Sequence, residues 1–326
     1  MKPRDISTLL DAMIREDNRR PIILIGKPGG GKTSLVRQCA ERNNMTFFPV
    51  HLAQREPTDL TGLPFAQNGK TAHLTPDILP TEGKGILFLD EFAQSTPMMM
   101  NAASELLLER RLGHYKLPNG WLVWCASNAR SHRAGVNEIP THVRNRWYRL
   151  DYDTDNDDWQ DWALRHGIVN EVIAFIRWRP QLLHDFDANK DCFPTPRSWE
   201  MVSDAWKMNI NIAVKSGLIM GAVGEGACAE FVGYTKVFTQ IPDPKEVLDN
   251  PRKAPVPKAP DILYALCTCL ASITTDKNFD SLVSYADRLP IEFSIMTIKD
   301  VVKRDEKVRT LKSFAEWMHR NRNVIL

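Results

Sequence analysis

The sequence predicts an α/β fold, in which a core of parallel strands carries helices on both faces and is followed by an all-helical region. Two observations predict it. Over the first 153 residues, apolar runs of the length of a buried strand alternate with segments of helical periodicity. From residue 154 onward the pattern is helical throughout. Alternating strands and helices favour a parallel sheet, because parallel neighbours need a crossover connection, usually a helix.

A glycine-rich loop separates the first strand from the helix that follows it. The apolar run 22–25 predicts a buried strand, preceded by a helical pattern over 5–19 that would pack on the core or flank a nucleotide base. The spacing G-x4-G-K-T then leads into the next helix. Strand, loop and helix in this order are the context of a phosphate-binding loop, because glycines let successive N–H groups point at a polyphosphate. The predicted nucleotide contacts are Gly26, Pro28, Gly29, Gly30, Gly31, Lys32, Thr33 and Ser34.

Two residues of this loop have predicted chemical roles. Lys32 is placed to reach the β- and γ-phosphates of a nucleotide, and the Thr33 hydroxyl to ligate Mg²⁺. A glycine turn without a ligand is the alternative, and the flanking strand and helix weigh against it.

The second strand candidate, residues 46–52, contains Pro49, which indicates an edge strand or a strand end. Further along, Asn68-Gly69 lies between short alternating stretches over 63–74. This dipeptide is the strongest local signal for a β-hairpin. We therefore predict a hairpin inserted before the next core strand.

An acidic pair follows the apolar run 86–89. At the carboxyl end of a buried strand, Asp90 would lie beside the phosphate-binding loop and hold Mg²⁺ through water. Glu91 would orient and deprotonate the attacking water. An isolated acidic pair is more often a solvated turn, but the loop earlier in the chain favours the catalytic interpretation.

The rest of the core contains a helix over 97–111, a compact insertion over 112–120 and a buried strand over 121–128. That strand ends in Asn128, whose amide would lie at the same sheet edge as Asp90 and hydrogen-bond a γ-phosphate or the attacking water. A turn asparagine is the alternative. A last strand is predicted over 148–152.

Two changes in composition divide the chain. The acidic run 151–158 marks the first boundary, and the six prolines of 241–260 predict a semi-rigid linker or an extended strap. Helical patterns recur over 159–165, 171–177, 197–212, 262–273, 282–289 and 311–317. The predicted domains are a nucleotide-binding core over 1–153, a helical domain over 154–240, and a proline-rich linker with a helical extension over 241–326.

The composition is that of an ordinary globular protein, with 43% hydrophobic and 25% charged residues. A net charge of +2 leaves no electrostatic footprint for nucleic acid or an anionic membrane. No secretory signal precedes the core, and no apolar run approaches the ~20 residues of a membrane span. Of six cysteines only Cys267 and Cys269 are close together, which predicts buried thiols rather than a metal site. We therefore expect a cytoplasmic protein.

Several of these segments together resemble the MoxR-like branch of the AAA+ ATPases, over residues 5–240. The resemblance rests on the loop 26–33, the strand and acidic pair 86–91, the strand ending in Asn128, and the sequence Thr195-Pro196-Arg197-Ser198-Trp199-Glu200. Residues 59–62 are similar to the stretch that opens this branch's helix-2 insert, and 112–120 to its insertion ahead of the sensor strand. The resemblance implies a P-loop NTPase αβα core with a helical lid.

The resemblance also implies residue roles. Asn128 would be sensor 1, and Arg197 the sensor 2 arginine of the lid. Arg146 stands where the family has an Asp-Arg-Phe arginine finger, but Asn145 and Trp147 replace the flanking residues. Arg144 therefore stays an alternative.

The implied function is ATP hydrolysis with Mg²⁺ at the subunit interfaces of a homo-oligomeric ring, with a hexamer as the expected size. It would drive remodelling or chaperone-like maturation of a partner, often a protein with a von Willebrand factor A domain. One rival is a nucleic-acid motor or loader, against which the near-neutral charge weighs. The other is a nucleotide-dependent binding switch with little turnover, against which Glu91 weighs. No visible motif distinguishes ATP from GTP.

Overall fold

A five-stranded parallel sheet organises the first unit of the computed structural model, which describes residues 1–129 and 135–325. The chain forms two units, Met1–Asp155 and Asn156–Leu326. The strands are β1 (Ile22–Gly26), β2 (Thr46–His51), β3 (Pro64–Gln67), β4 (Lys70–His73), β5 (Lys84–Asp90), β6 (Arg111–Leu112), β7 (Tyr115–Lys116), β8 (Gly120–Asn128) and β9 (Tyr148–Tyr152). The sheet order is β2-β5-β8-β1-β9, and all four pairings are parallel. The predicted α/β class is confirmed.

Helices cover both faces of this sheet, because successive strand residues point to opposite sides. The helices of the first unit are α1 (Pro3–Arg15), α2 (Lys32–Arg42), α3 (Pro57–Thr61), α4 (Pro97–Glu109) and α5 (Thr141–Arg144). On one face, Ile22 and Leu24 pack in a cluster with residues of α1 and α2. On the other, Ile23 and Ile25 pack in a cluster with residues of α4. Strand β2, which contains Pro49, lies at the sheet edge as predicted.

The predicted hairpin is present as the antiparallel pair β3–β4. Asn68 and Gly69 both have positive φ, 51° and 73°, as the central residues of a type I′ turn require. At its base, a Cβ added to Gly62 would lie 1.8 Å from the Leu74 carbonyl oxygen, so only glycine fits there. The shorter pair β6–β7 occupies the predicted insertion at 112–120.

The second unit is helical. Its helices are α6 (Asn156–Arg165), α7 (Asn170–Trp178), α8 (Pro196–Lys207), α9 (Ile212–Val223), α10 (Glu225–Thr235), α11 (Pro244–Asp249), α12 (Pro260–Ile273), α13 (Phe279–Ala286), α14 (Ile291–Arg304) and α15 (Lys312–Ile325). Buried residues form one cluster between Trp159 and Tyr234 and another between Val247 and Trp317. The separate domains predicted on either side of residue 240 stay a prediction.

Two sequence predictions for this unit were wrong. The helix expected over 197–212 ends at Lys207, and Asn211 caps a new helix by accepting a hydrogen bond from the Ala213 amide at 2.8 Å. The stretch 241–260 is not simply a linker, because it contains α11 and buries Val247 and Leu248 in the second cluster. The prolines interrupt the helical periodicity of this stretch, but Val247 and Leu248 are nevertheless buried against other helices of the second cluster.

A buried ion pair joins helices from the two clusters. Arg177 Nη2 on α7 lies 2.6 Å from Asp300 Oδ2 on α14, and both side chains are less than a tenth exposed, at 7% and 6%. Arg177 Nη1 also donates to Thr268 Oγ1 on α12, at 2.9 Å. Arg177 is therefore the cation in contact with the buried Asp300 carboxylate, and Lys303 adds a positive charge beyond ion-pair distance.

Arg177→Met is expected to lower the free energy of unfolding by about 3–5 kcal/mol, because it leaves the buried Asp300 carboxylate without its ion-pair partner. Lys207→Met is the control, since Lys207 pairs with Asp204 on the surface and its loss should cost about 1 kcal/mol or less. Urea unfolding followed by tryptophan fluorescence measures both. Adding Asp300→Leu to Arg177→Met should recover part of the loss. Equal effects of Arg177→Met and Lys207→Met would contradict the argument.

All six cysteines are free. Burial raises the pKa of the Cys267 thiol to about 12, so the thiol stays protonated and unreactive at neutral pH. Within the described ranges, no helix is both long and apolar enough to cross a membrane.

Candidate nucleotide-binding site

The glycine-rich loop joins the carboxyl end of β1 to the first turn of α2. Gly29 and Gly31 have positive φ, 70° and 99°, a conformation that glycine adopts at little cost. Gly31 precedes α2 without a side-chain cap. The first amides of the helix and its positive end therefore face the loop, an arrangement that binds phosphate groups.

Gly26 lies between the last residues of two neighbouring strands. It is in register with Asn128 of β8 and with Tyr152 of β9. A Cβ added to Gly26 would lie 2.5 Å from the Tyr152 carbonyl oxygen, so the close approach requires glycine. The buried Tyr152 hydroxyl in turn donates to the Gly30 carbonyl oxygen at 2.7 Å. Tyr152 of β9 thus contacts the loop at two of its glycines, Gly26 and Gly30.

Lys32 is nearly buried, with 8% of its surface exposed. Its ammonium donates to the carbonyl oxygens of Gly26 and Lys27 at 3.0 and 2.8 Å. It also donates to Asn128 Oδ1 at 3.2 Å. Lys32 and Asn128, predicted separately from two distant motifs, therefore meet at one edge of the sheet.

Thr33 and Asp90 meet at the same edge. The Thr33 hydroxyl donates to Asp90 Oδ2 at 2.6 Å, and Asp90 Oδ1 accepts from the Glu91 amide at 2.9 Å. A hydroxyl and a carboxylate are the hard oxygen ligands that Mg²⁺ prefers, and Mg²⁺ takes its remaining ligands from water and phosphate. These residues therefore fit the predicted metal ion.

Glu91 has a left-handed backbone, with φ 58° and ψ 35°, and begins a single 3₁₀ turn over Phe92–Gln94. Outside glycine this conformation is uncommon and strained, and such residues concentrate at functional sites. The predicted base thus occupies a constrained position directly after Asp90.

Two residues of this site escaped the sequence analysis, Gln94 and Tyr152. Gln94 Oε1 accepts from the Ser127 hydroxyl at 2.8 Å and from the Asn128 amide at 3.4 Å, which ties the turn after Glu91 to the end of β8. A polar residue in a turn carries no signal for such a contact. Tyr152 ends a predicted strand, but its place beside the loop follows only from the register of β9 with β1.

Tyr152→Phe is expected to weaken ATP binding about tenfold, equivalent to ~1.4 kcal/mol, because the change leaves the Gly30 carbonyl without its buried donor and loosens the loop. Isothermal titration calorimetry measures the change. Tyr148→Phe on the same strand is the control, because the Tyr148 side chain is 44% exposed. This variant should bind ATP with the parent affinity. An unchanged affinity for Tyr152→Phe would mean that the hydroxyl does not support the loop.

The two arginine-finger candidates differ in their contacts. Arg144 Nη2 lies 2.5 Å from Glu138 Oε1, and its Nε donates to the Ile139 carbonyl at 2.7 Å. Arg146 is exposed, and among residues 1–129 and 135–325 its guanidinium has no hydrogen-bond acceptor or ion-pair partner. Arg146 precedes β9, which runs parallel to β1. It therefore lies at the amino ends of these strands, whereas the glycine-rich loop lies at their carboxyl ends.

Arg197 is exposed in the first turn of α8 in the second unit. A capping box begins this helix: the Thr195 side chain accepts from the Ser198 amide at 3.0 Å, and Ser198 Oγ accepts from the Thr195 amide at 2.7 Å. The local sequence thus sets Arg197 one residue inside a well-defined helix start.

Comparison with known proteins agrees with this geometry. Residues 21–140 match the model of the AAA domain (dynein-related subfamily). BssE of Thauera aromatica, named as a candidate chaperone, is 28% identical over 155 residues, 43% of this chain and 54% of that protein. Midasin of Giardia intestinalis is 24% identical over 167 residues, 48% of this chain and 3% of that protein. The chain thus spans about half of the first relative and a small part of the second.

Among solved structures, NtrX of Brucella abortus in complex with ATP aligns with 99% of this chain and 68% of that chain, at 13% identity and a TM-score of 0.40. The family match spans the glycine-rich loop, the acidic pair and Asn128, the segments that the sheet brings to one edge. Residues 21–140 are therefore similar to an AAA domain, and this match covers the segments that form the candidate site.

Proposed function

We propose that the chain is a MoxR-like AAA+ protein that hydrolyses ATP with Mg²⁺ at sites shared between the subunits of a ring, six being the expected number. The cycle would drive remodelling or chaperone-like maturation of a partner protein. The observation that carries this proposal is the pair of contacts Thr33–Asp90 and Lys32–Asn128 at the end of the loop. Together they bring the two residues proposed to ligate Mg²⁺ close to the two residues proposed to bind phosphate.

The proposed chemistry is attack of water on the γ-phosphorus, with the proton passing to the Glu91 carboxylate. The bond from the γ-phosphorus to the bridging oxygen breaks, and charge develops on the phosphate oxygens. Lys32 and Asn128 would donate hydrogen bonds to those oxygens. Thr33 and Asp90 would hold Mg²⁺, which neutralises phosphate charge when bound.

The arginines complete the proposed site. Arg146 is the proposed arginine finger, because its side chain is exposed and lies at the end of the sheet opposite the glycine-rich loop of the same chain. The nucleotide that it can reach is therefore the one bound by a neighbouring chain. Arg144 is less suited, because its guanidinium is engaged by Glu138 and by a backbone carbonyl. Arg197 is the proposed sensor 2 residue of the helical lid.

The β3–β4 hairpin is the proposed contact with the partner. It is exposed along both strands, and the apolar side chains Leu63, Phe65 and Leu74 at or near its base are 64%, 38% and 55% exposed. The β3–β4 and β6–β7 hairpins are the proposed counterparts of the inserts that the MoxR resemblance implies. The chaperone name of the BssE relative agrees with a protein client, and a von Willebrand factor A domain protein is the expected partner.

ATPase assays and sedimentation velocity on the full chain test this proposal. We expect hydrolysis that needs Mg²⁺ and stops on chelation, together with an assembly larger than a monomer in ATP. Glu91→Gln chains loaded with ATP should retain a protein partner that Lys32→Ala chains do not. Tight ATP binding without measurable hydrolysis would favour the binding switch instead.

The nucleic-acid alternative has its own test. With a net charge of +2, the chain should bind DNA weakly and lose that binding as salt rises. A fluorescence-anisotropy titration with labelled single- and double-stranded DNA measures this. Tight binding at physiological salt without a partner would overturn the preference for a protein client.

A further inference from the structure

A second candidate site lies at the sheet edge opposite the glycine-rich loop. A cavity of about 720 Å³ opens between the segment leading into β1, the carboxyl end of α4 and the segment leading into β9. Four arginines and two carboxylates line it: Asp17, Arg19, Arg20, Glu109, Arg110 and Arg146. The cavity therefore has an excess of positive charge.

Both carboxylates already have cationic partners. Arg19 donates to Asp17 through two nitrogens, at 2.9 and 2.7 Å, and these hydrogen bonds lower the pKa of Asp17. Glu109 Oε2 lies 2.9 Å from Arg111 Nη2, and Arg111 does not line the cavity. The guanidinium groups of Arg20 and Arg146 are thus left without a carboxylate partner in the lining, while Arg110 shares the negative charge of Asp17 with Arg19.

The guanidinium of Arg110 is only partly satisfied. Its Nη2 donates to the carbonyl oxygens of Pro118 and Trp121 at 3.1 and 2.8 Å, which fixes its position. Its Nη1 is buried and has no hydrogen-bond partner in the described part of the chain. Burial, together with the charge of Arg19, lowers the pKa of Arg110. A buried donor without an acceptor is unfavourable unless a ligand supplies the acceptor.

Arg20 resembles Arg146 in its surroundings. Both are exposed, and over residues 1–129 and 135–325 neither guanidinium has a hydrogen-bond acceptor or an ion-pair partner. Two exposed guanidinium groups and one with a buried, unpaired nitrogen therefore line one cavity. A guanidinium group can donate two parallel hydrogen bonds to the oxygens of a phosphate group. The negative charge of phosphate also complements the excess positive charge of this cavity.

We propose that this cavity is a phosphate-binding site whose occupant is the terminal phosphate of the nucleotide held by a neighbouring chain, and that Arg20 and Arg110 bind it beside Arg146. The inference rests on the proposed shared site and extends it, because it assigns Arg20 as a second cation acting between chains. A free polyphosphate has the same chemistry and is the rival occupant.

Arg20→Gln tests the inference, with Arg15→Gln as the matched control. Both remove one exposed positive charge from neighbouring positions, but Arg15 lies on α1 outside the cavity. We expect Arg20→Gln to lower ATP turnover about tenfold or more, since each missing cation leaves transition-state charge less stabilised. The Arg20→Gln chain should still bind a fluorescent ATP analogue at its glycine-rich loop with the parent affinity. Arg15→Gln should hydrolyse ATP at the parent rate.

Mixing distinguishes action between chains from action within one. Arg20→Gln chains mixed with Lys32→Ala chains should regain part of the activity, because the latter chains still present Arg20. An Arg20→Gln chain as active as Arg15→Gln, beside an inactive Arg146→Ala chain, would overturn this inference and leave the shared site standing. If Arg20→Gln and Arg146→Ala both work at the parent rate, the shared site itself fails.

Inorganic tripolyphosphate distinguishes the two sources of phosphate. Lys32→Ala chains diluted to monomers should bind it weakly, since the cavity is proposed to be completed by a neighbouring nucleotide. Tight binding to those monomers that Arg20→Gln abolishes would assign the cavity to a free anion and overturn the neighbour as its occupant.

Discussion

Glu91→Gln is expected to bind ATP with the parent affinity and to hydrolyse it about 10²-fold or more slowly. The change keeps the size of the side chain and removes the carboxylate that takes the proton from the attacking water, a contribution of about 10²–10⁴-fold in comparable reactions. Nucleotide binding should survive, because the contacts of Lys32, Thr33 and Asp90 do not pass through the Glu91 side chain. Steady-state phosphate release and a separate ATP titration measure the two quantities.

Two further variants serve as controls for Glu91→Gln. Lys32→Ala should lose nucleotide binding itself, because it removes the ammonium at the end of the loop. Glu41→Gln, an exposed glutamate on α2, removes the same charge away from the site and should hydrolyse ATP at the parent rate. If Glu91→Gln hydrolyses ATP as fast as Glu41→Gln, the catalytic assignment of Glu91 is wrong.

Arg146→Ala is expected to keep ATP binding and to lose hydrolysis by about 10³-fold or more, the effect of an arginine finger on phosphoryl transfer. The loss would occur although every residue around its own loop is unchanged, since Arg146 lies at the opposite sheet edge. Arg144→Ala is the matched control. Its guanidinium is engaged by Glu138 and by the Ile139 carbonyl, so hydrolysis should persist.

Mixing makes this prediction sharper. Lys32→Ala chains cannot bind nucleotide but still present Arg146, so adding them to Arg146→Ala chains should restore part of the activity. Two inactive preparations become active together only if the site is shared between chains. If the mixture stays inactive while subunit exchange is demonstrated, Arg144 becomes the finger candidate. A monomer that is fully active in ATP would exclude the shared site.

Short-range patterns predicted the parts of the fold whose physics is local. Asn68 and Gly69 specify a turn because both must take positive φ, and the hairpin is present. Pro49 has no backbone N–H to donate to a neighbouring strand, so its strand is expected at the edge of the sheet, where β2 lies. The end of α8 was predicted wrongly because the capping role of Asn211 was overlooked. The helix in 241–260 was missed because Val247 and Leu248 are stabilised by packing with residues further along the chain.

The sequence by itself determined the strand–loop–helix of residues 22–40, the acidic pair at the end of a buried strand, and the parallel α/β class. Each follows from periodicity, glycine spacing and the length of apolar runs. Only the tertiary structure decided which groups come together: the Lys32 ammonium with Asn128, the Tyr152 hydroxyl with the Gly30 carbonyl, and Arg20 with Arg146 in the lining of one cavity. These partners lie about a hundred or more residues apart, and strand register and packing, which no local pattern encodes, bring them together.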